Sequence, residues 1–385
     1  GAAAAPASAA YGVPGDEWQP LALSYTSGTT GRPKGVVYHH RGAHLMALGS
    51  IPGWGLRKHC TYMYTVPMFH CNGWAFPWTA AILGAKLVLL DNLGITGRKL
   101  WDIINARRVT NFGGAPVVLN ALVGHTEHAP LHGPCSILVA GAPPTPATLR
   151  AVADAGFEIM QVYGLTETYG HTVQCEPQEE WAGLATDEQA KMKARQGVPY
   201  PQTEGLDVWD DEGRPVPRDG RTQGEIVIRS NCVMSGYLNN PAENERAFRG
   251  GWFHSGDAAV IHPDNYVQIT DRFKDIIISG GENISSVAVE AGVASHQSIL
   301  NVAVVAMPSE KYGETPCCFF EVKEGAEVPS EDELREFCKE NLPRFMCPAR
   351  FLHQELPKTA AGKIQKFELR KVARELAGAA PASKL

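Results

Sequence analysis

Short apolar runs alternate with helical periodicity through the first 165 residues of the chain. Residues 39–48 suit a helix, and residues 99–107 place Leu100, Ile103 and Ile104 at helical spacing. The apolar runs have the length of β-strands and lie at residues 21–23, 61–66, 86–90, 137–140 and 157–161. We interpret the runs at 21–23 and 86–90 as buried strands. The alternation predicts an α/β fold with a mostly parallel sheet.

The pattern changes after residue 200. Short β-like runs at 206–209 and 225–228 are separated by clusters of turn residues, which indicates the hairpins of a small antiparallel subdomain. Three further strand-like runs and an amphipathic helix follow, at residues 276–278, 301–306, 316–322 and 331–341. Because 385 residues are too many for one core, we predict two or more domains.

Composition excludes several classes of function. The net charge of −6 argues against nucleic acid or an anionic membrane as the main partner. No apolar run approaches the ~20 residues of a transmembrane helix. The nine cysteines are odd in number and lack metal-ligand spacing, so we expect free thiols in a reducing compartment.

Residues 25–37, which read YTSGTTGRPKGVV, are the strongest chemical signal in the chain. Hydroxyl residues and glycines surround Lys34, so the loop can present backbone N–H groups, hydroxyls and one ammonium to an anion. A polyphosphate suits this set of donors best. The stretch is not a P-loop, because Gly35 follows Lys34 and the glycine spacing differs. A flexible linker is the alternative, but a linker would not join a strand-like run to the apolar pair Val36-Val37.

Two other polar segments follow strand-like runs. His70, Cys71 and Asn72 are consecutive, a spacing that suits neither metal ligation nor a nucleophile group, so His70 is expected to line a pocket or to be a satisfied histidine. Thr166 and Glu167 lie where an α/β sheet binds ligands, after the strand at 157–161. A loop glutamate is usually only solvated, but Mg²⁺ bound to ATP favours one or two protein carboxylates.

These segments resemble, in order along the chain, the motifs of the adenylate-forming superfamily of acyl-CoA synthetases, peptide-synthetase adenylation domains and luciferases. Within this superfamily the chain resembles the plant peroxisomal acyl-activating enzymes. The resemblance implies an α/β fold with a large AMP-binding domain, here present in part as residues 18–271, and a small mobile α+β C-terminal domain, residues 272–385.

The resemblance also implies the roles of single residues. Thr166, Glu167 and Lys363 would be catalytic, and Glu167 would hold the metal. Asp271 would be the hinge, with Gly280 and Gly281 beside the pantetheine of coenzyme A. The acyl pocket would include His70, Asn72 and Trp74. The nucleotide and its phosphates would contact Thr26, Ser27, Gly28, Thr29, Thr30, Gly31, Lys34, Gly141, Ala142, Pro143, Tyr163, Gly164, Asp257 and Arg272. The chain departs from the pattern at Ala288, where relatives usually have Glu, and we expect this change to affect local stability more than chemistry.

The implied reaction uses ATP, Mg²⁺ and coenzyme A. A carboxylic acid would attack the α-phosphate of ATP, and the thiol of coenzyme A would then take the acyl group from the adenylate. Two other activities stay open at this point, namely an inactive homologue that still binds nucleotide and, with less support, a luciferase-like oxygenase. A kinase, which would produce ADP, fits the loop poorly.

Both ends of the chain carry expectations of their own. Residues 1–17 begin with a low-complexity Ala/Pro/Ser stretch and are expected to be a disordered lead-in. In the family a long N-terminal part precedes the phosphate loop, so we expect the chain to be truncated. Ser383-Lys384-Leu385 matches the address read by the peroxisomal import receptor, which predicts a peroxisomal matrix location.

Overall fold

The computed structural model describes residues 14–26, 33–90, 96–141, 144, 146–323, 325–359 and 364–379. Most of the predicted lead-in and the C-terminal tripeptide lie outside these ranges. None of the helices in the described part of the chain is long and apolar enough to cross a membrane.

An antiparallel hairpin opens the fold, formed by β1 (Pro20–Thr26) and β2 (Lys34–His39). Helix α1 (His40–Gly53) follows, where a helix was predicted, and the His39 ring caps it by accepting from Gly42 N. The run at 21–23 does form a strand, but the prediction that it is buried is wrong. Leu23 is 43% exposed, because β1 is the outer strand of its sheet.

The largest sheet has five parallel strands followed by two antiparallel ones. Its strands are β3 (Thr61–Tyr64), β4 (Lys86–Leu89), β5 (Asn111–Gly114), β6 (Ser136–Val139), β7 (Glu158–Leu165), β8 (Gly170–Gln174) and β9 (Val198–Pro199). They lie in the order β4-β3-β5-β6-β7-β8-β9. The predicted parallel sheet is confirmed. The burial predicted for residues 86–90 is wrong, because β4 is an edge strand whose Leu87 and Leu89 are exposed.

Helices and short 3₁₀ turns connect these strands. The helices are α2 (Cys71–Trp74), α3 (Phe76–Leu83), α4 (Gly97–Arg107), α5 (Pro116–Val123), α6 (Pro146–Asp154) and α7 (Thr186–Lys193). The 3₁₀ turns lie at Thr166–Thr168 and Glu179–Gly183. The helix predicted at 99–107 is α4. Thr96 caps it by accepting from Lys99 N, and Leu100 and Ile104 are buried against the sheet.

A four-stranded antiparallel sheet forms the predicted subdomain. Its region contains β10 (Gly205–Trp209), β11 (Gly224–Arg229), β12 (Gly236–Tyr237), α8 (Pro241–Ala247), a 3₁₀ turn at Arg249–Gly251, β13 (Phe253–Ile261) and β14 (Val267–Arg272). The sheet order is β10-β11-β13-β14. The two-residue strand β12 instead pairs with β2, and so joins this region to the first hairpin.

The last region is α+β, as predicted. It contains β15 (Ile277–Ser279), β16 (Glu282–Ile284), α9 (Ser286–Ala294), β17 (Ile299–Ser309), β18 (Gly313–Val322), α10 (Glu331–Asn341), a 3₁₀ turn at Arg344–Met346, β19 (Arg350–His353) and α11 (Lys366–Ala379). The sheet order is β16-β15-β18-β17, with β19 parallel to β18. All nine cysteines of the chain are free thiols, as expected, and Cys317 and Cys318 are fully buried.

Candidate active site

The β1–β2 hairpin positions the base of the predicted phosphate loop. Thr26 ends β1 and lies opposite Lys34, the first residue of β2. Residues 27–32, with the predicted phosphate ligands Ser27, Gly28, Thr29, Thr30 and Gly31, lie outside the described residues. The pairing of β1 with β2 therefore holds Thr26 and Lys34, the two ends of the loop, next to each other.

Lys34 contacts two residues that lie more than 200 positions further along the sequence. Its Nζ lies 4.2 Å from the centre of the Tyr237 ring and donates to Glu243 Oε1 at 2.9 Å. Tyr237 is brought there by β12, in which it pairs with Val36 of β2. Neither Tyr237 nor Glu243 was singled out from the sequence, because no motif surrounds either residue.

Tyr237 also connects Lys34 to Glu167, the predicted metal ligand. The Tyr237 hydroxyl donates to Glu167 Oε1 at 2.8 Å. Burial, followed by the nearby Glu167 carboxylate, raises the pKa of the Tyr237 phenol well above its ordinary value, so the hydroxyl keeps its proton. The structure thus brings the predicted Lys34 and Glu167 to one place, with Tyr237 between them.

The segment around Thr166 is held from three sides. Tyr38 OH donates to Thr166 O at 2.7 Å, Cys71 Sγ donates to Thr166 Oγ1 at 3.7 Å, and Met234 N donates to Glu167 O at 2.8 Å. These bonds come from β2, α2 and the segment before β12. The position of the Thr-Glu pair is therefore fixed by elements that are distant in sequence.

Tyr163 and Gly164, the predicted adenine contacts, end strand β7. A Cβ added at Gly164 would collide with the carbonyl oxygen of Gly170 in β8, so only glycine fits there. Tyr163 OH donates to Asp257 Oδ2 at 2.8 Å. Burial and then Asp257 raise the pKa of Tyr163 well above its ordinary range.

Asp257 and Arg272, predicted to bind the ribose and a phosphate, form a pair. They lie opposite each other in β13 and β14, and Arg272 Nε is 3.2 Å from Asp257 Oδ1. Asp257 is 4% exposed, and each of its oxygens has a polar partner in the chain. A buried carboxylate with such partners is well oriented to accept hydroxyl groups.

The predicted hinge residue Asp271 is buried and accepts from Ser286 N and Ser286 Oγ at the start of α9. Nearby, Lys274 has a pKa lowered to about 8, mainly by burial and then by Arg272 and Arg370. Gly280 and Gly281 have φ angles of 60° and 89°, a backbone region that favours glycine.

The predicted acyl-pocket residues lie in the short helix α2 or at its N-terminal end. His70 is half-buried at its N-cap, and the Trp74 ring is buried in an aromatic cluster with Tyr62 and Phe76. Asn72 lies in the helix, and its side chain is outside the described residues. Trp74 thus has a packing role in the core. The neighbouring Cys71 contacts Thr166, so helix α2 adjoins the Thr-Glu segment.

The remaining residues that the sequence analysis named lie in other parts of the chain. Gly141 has φ 92°, whereas Ala142 and Pro143 lie outside the described residues. Lys363, the predicted catalytic lysine, also lies outside them. Ala288 is exposed on α9, and its N–H donates to the capping Ser285. In the described part of the chain no three His, Cys, Asp or Glu side chains form a group suited to hold a metal.

Comparison with protein families gives two matches. The model of the AMP-binding enzymes matches residues 2–238, and the model of the AMP-binding enzyme C-terminal domain matches residues 288–363.

Curated relatives and solved structures agree with these matches. A peroxisomal acetate/butyrate–CoA ligase of Arabidopsis thaliana is 49% identical over 97% of this chain, and an acetate–CoA ligase of Humulus lupulus is 48% identical over 94%. The chain spans 66% and 65% of the lengths of these relatives. An o-succinylbenzoate coenzyme A synthetase of Bacillus subtilis, solved with ATP and a magnesium ion, is 28% identical with a TM-score of 0.79. That match covers 93% of this chain and 70% of the synthetase.

Proposed function

The chain belongs to the family of AMP-binding enzymes, and from this membership we propose that it activates a short-chain carboxylic acid with ATP and transfers the acyl group to coenzyme A. One observation carries the proposal. The candidate phosphate residues Lys34 and Glu167 are joined through Tyr237, and the candidate ribose residues Asp257 and Arg272 are paired beside Tyr163. These residues come from distant segments, and their roles fit the two ends of one nucleotide.

At the nucleoside end, Asp257 would accept the ribose hydroxyls. Its carboxylate is already oriented by the Tyr163 hydroxyl and the Arg272 guanidinium, so little side-chain freedom is lost when nucleotide binds. Gly164 lets the end of β7 pack against the backbone of Gly170 in β8, next to Tyr163. Arg272 would add a positive charge toward the α-phosphate.

At the phosphate end, Lys34 and the loop that begins at Thr26 would bind the polyphosphate. The donor set fits a magnesium ion that arrives with ATP, because Mg²⁺ is commonly held by one or two carboxylates and by phosphate oxygens. Glu167 would hold the ion, with its Oε1 fixed by Tyr237. The ion would neutralise phosphate charge and orient the phosphates for in-line attack.

The chemistry would proceed in two steps. A carboxylate oxygen of the acid bonds to the α-phosphorus of ATP as the bond to pyrophosphate breaks, which gives an acyl-adenylate. The thiolate of coenzyme A then bonds to the acyl carbon, and AMP leaves. Lys363 would stabilise the charge that develops in the first step. Rotation of the C-terminal domain about Asp271 would bring Gly280 and Gly281 toward the thiol for the second.

The acid-dependent release of pyrophosphate tests this function. We expect release with magnesium, ATP and short acids such as acetate and butyrate in a panel of C2 to C12 and benzoic acids, with AMP and not ADP as the nucleotide product. Oxygen consumption or light emission in place of thioester formation would identify an oxygenase. The absence of pyrophosphate release with every acid of the panel would contradict the proposal and favour a homologue that only binds nucleotide.

A substitution tests the role of Lys363. Lys363→Ala should reduce acid-dependent pyrophosphate release by about 10²–10³-fold, with ATP affinity retained because the other nucleotide contacts remain. Lys371→Ala is the matched control, since this lysine is exposed on α11 and its described partners, Glu368 and the Phe367 ring, belong to the same helix. Full pyrophosphate release by the Lys363 variant would refute the assignment.

We further propose a peroxisomal location. The support is the Ser383-Lys384-Leu385 tripeptide together with the peroxisomal location of the similar Arabidopsis thaliana ligase. A fluorescent protein fused to the N-terminus should accumulate in peroxisomes, and blocking Leu385 with a C-terminal extension should leave it in the cytosol. Peroxisomal import of the blocked form would contradict the role of the tripeptide.

A further inference from the structure

Lys34 already has a negatively charged partner within the chain. Its ammonium donates to Glu243 at 2.9 Å, and the two side chains are 13% and 31% exposed. The Tyr237 ring covers the ammonium from another side, at 4.2 Å. Because the pair is largely sheltered from water, its electrostatic attraction is screened less than that of a surface pair.

The fold fixes Glu243 in this position. Asn240 caps helix α8 by accepting from Glu243 N. Asn244, one residue further, accepts from Tyr237 N at 2.7 Å and donates to Tyr237 O at 3.1 Å. The first turn of α8 is therefore fastened to β12, which in turn pairs with β2. Lys34 and Glu243 face each other from elements that hydrogen bonds hold together.

We propose that Glu243 is an internal counter-ion of Lys34, and that a phosphate group must displace it when a polyphosphate binds. This inference rests on the proposed function, because that function places Lys34 on the phosphates of ATP. A phosphate oxygen within hydrogen-bond distance of Lys34 Nζ would be only a few ångströms from the Glu243 carboxylate, and the two anions would repel each other.

Arg246 offers the displaced carboxylate a second partner. Its Nη1 lies 3.9 Å from Glu243 Oε2, one helical turn further along α8, and its side chain is 79% exposed. A change of side-chain rotamer at Glu243 can therefore exchange Lys34 for Arg246 with no movement of the backbone. In the free protein Glu243 thus neutralises the charge of Lys34, and this ion pair lowers the affinity for polyphosphate.

The affinity for inorganic pyrophosphate, measured by calorimetry on the whole chain, tests the inference. Glu243→Gln removes the charge, keeps the size of the side chain and leaves the backbone contact to Asn240 in place. We expect it to bind pyrophosphate about tenfold more tightly than the wild type. Glu245→Gln is the matched control, because it makes the same charge change on an exposed position of the same helix. Its affinity should stay within about twofold of the wild type, as expected for a screened surface charge.

The outcomes separate this inference from the proposed function. Unchanged or weaker pyrophosphate binding by Glu243→Gln, in a wild-type protein that shows acid-dependent pyrophosphate release, would overturn the counter-ion role alone. Equal tightening by Glu243→Gln and Glu245→Gln would also overturn it, since net charge would then explain the gain. Selective tightening without any acid-dependent release would support the counter-ion and contradict the proposed reaction. If neither protein binds pyrophosphate and no acid gives release, both proposals fail.

Discussion

Among single residues, Tyr237 links Lys34 and Glu167, the two candidate residues for the phosphate end of the proposed site. Its ring lies against the Lys34 ammonium, and its hydroxyl donates to Glu167. Since the phenol keeps its proton, it can act only as a donor toward that carboxylate. A fixed orientation of Glu167 before any ligand arrives lowers the entropy lost on binding.

His171 gives a prediction about the pH dependence of stability. Its imidazole is buried, Nε2 is 3.3 Å from Ser50 Oγ, and burial lowers its pKa to about 3. Between pH 6.5 and about 3 the unfolded chain carries a proton at this residue and the folded chain does not. The free energy of unfolding should therefore fall by about 1.4 kcal/mol per pH unit through this range because of His171 alone.

Urea unfolding at pH 7, 6, 5 and 4 measures this contribution. His171→Asn should be less stable than the wild type at pH 7 but should lose less stability on acidification. His44→Asn, a change at an exposed histidine of α1, should lose as much as the wild type. Parallel pH profiles for the wild type and the His171 variant would show that the folded protein accommodates the proton.

The sequence pointed to the candidate site residues that lie within recognisable motifs. Lys34, Glu167, Asp257 and Arg272 each had a motif around them, and the structure brings them together in two groups. Tyr237 and Glu243 had no such signal, because their importance lies in what they touch. A tyrosine or a surface glutamate acquires a role only when folding places it against a lysine 200 residues away.

At the scale of elements, a polar network joins α9 and α11. Lys366 Nζ lies 2.7 Å from Glu290 and from Ser286 Oγ, and Glu290 also accepts from Val304 N. Ser286 in turn donates to Asp271. Burial raises the pKa of Glu290, whereas the Lys366 ammonium opposes that rise and so favours the ionised carboxylate.

Removal of the lysine should destabilise the region strongly. Lys366→Met should lower the free energy of unfolding by about 3–5 kcal/mol, because it leaves a buried carboxylate without its counter-ion. Adding Glu290→Gln should recover part of this loss, since Gln keeps an acceptor for Val304 N. Lys371→Met, at an exposed ion pair of the same helix, should change stability by less than about 1 kcal/mol. Thermal or urea unfolding compares the three, and a double variant no more stable than Lys366→Met would contradict the explanation.

Strands and helices were predictable where local pattern decides them, and burial was not. The runs at 21–23 and 86–90 have the same apolar character as the interior strands, yet β1 and β4 lie at sheet edges. Whether an apolar strand is covered depends on which element lies beside it. That neighbour is set by topology, which a local run of residues does not encode.

For the molecule as a whole, the edge at β4 has a consequence for solution behaviour. Trp78 and Ile82 of α3 and Leu87 and Leu89 of β4 are 42–62% exposed. Within the described residues no strand pairs with the outer side of β4. An exposed apolar edge strand is a site of self-association.

We expect the isolated chain to associate through this edge. Leu89→Lys should increase the monomer fraction in sedimentation velocity, because a lysine on an edge strand opposes strand pairing. Val328→Lys, which places the same charge on an exposed loop residue elsewhere, is the control. If both substitutions increased the monomer fraction equally, the added net charge would explain the increase and the β4 edge would not.

The pairing of β2 with β12 also determines when the site can form during synthesis. Lys34 and Glu243 are 209 residues apart, and Tyr237 is nearly as far from Val36. A nascent chain therefore contains Lys34, the proposed phosphate ligand, long before it contains the strand and the helix that contact this lysine. At about 5–20 residues per second, the ribosome takes on the order of 10–40 s to add that stretch. Ribosome-bound intermediates stalled before residue 236 should consequently lack a nucleotide site, even though the large parallel sheet is already complete.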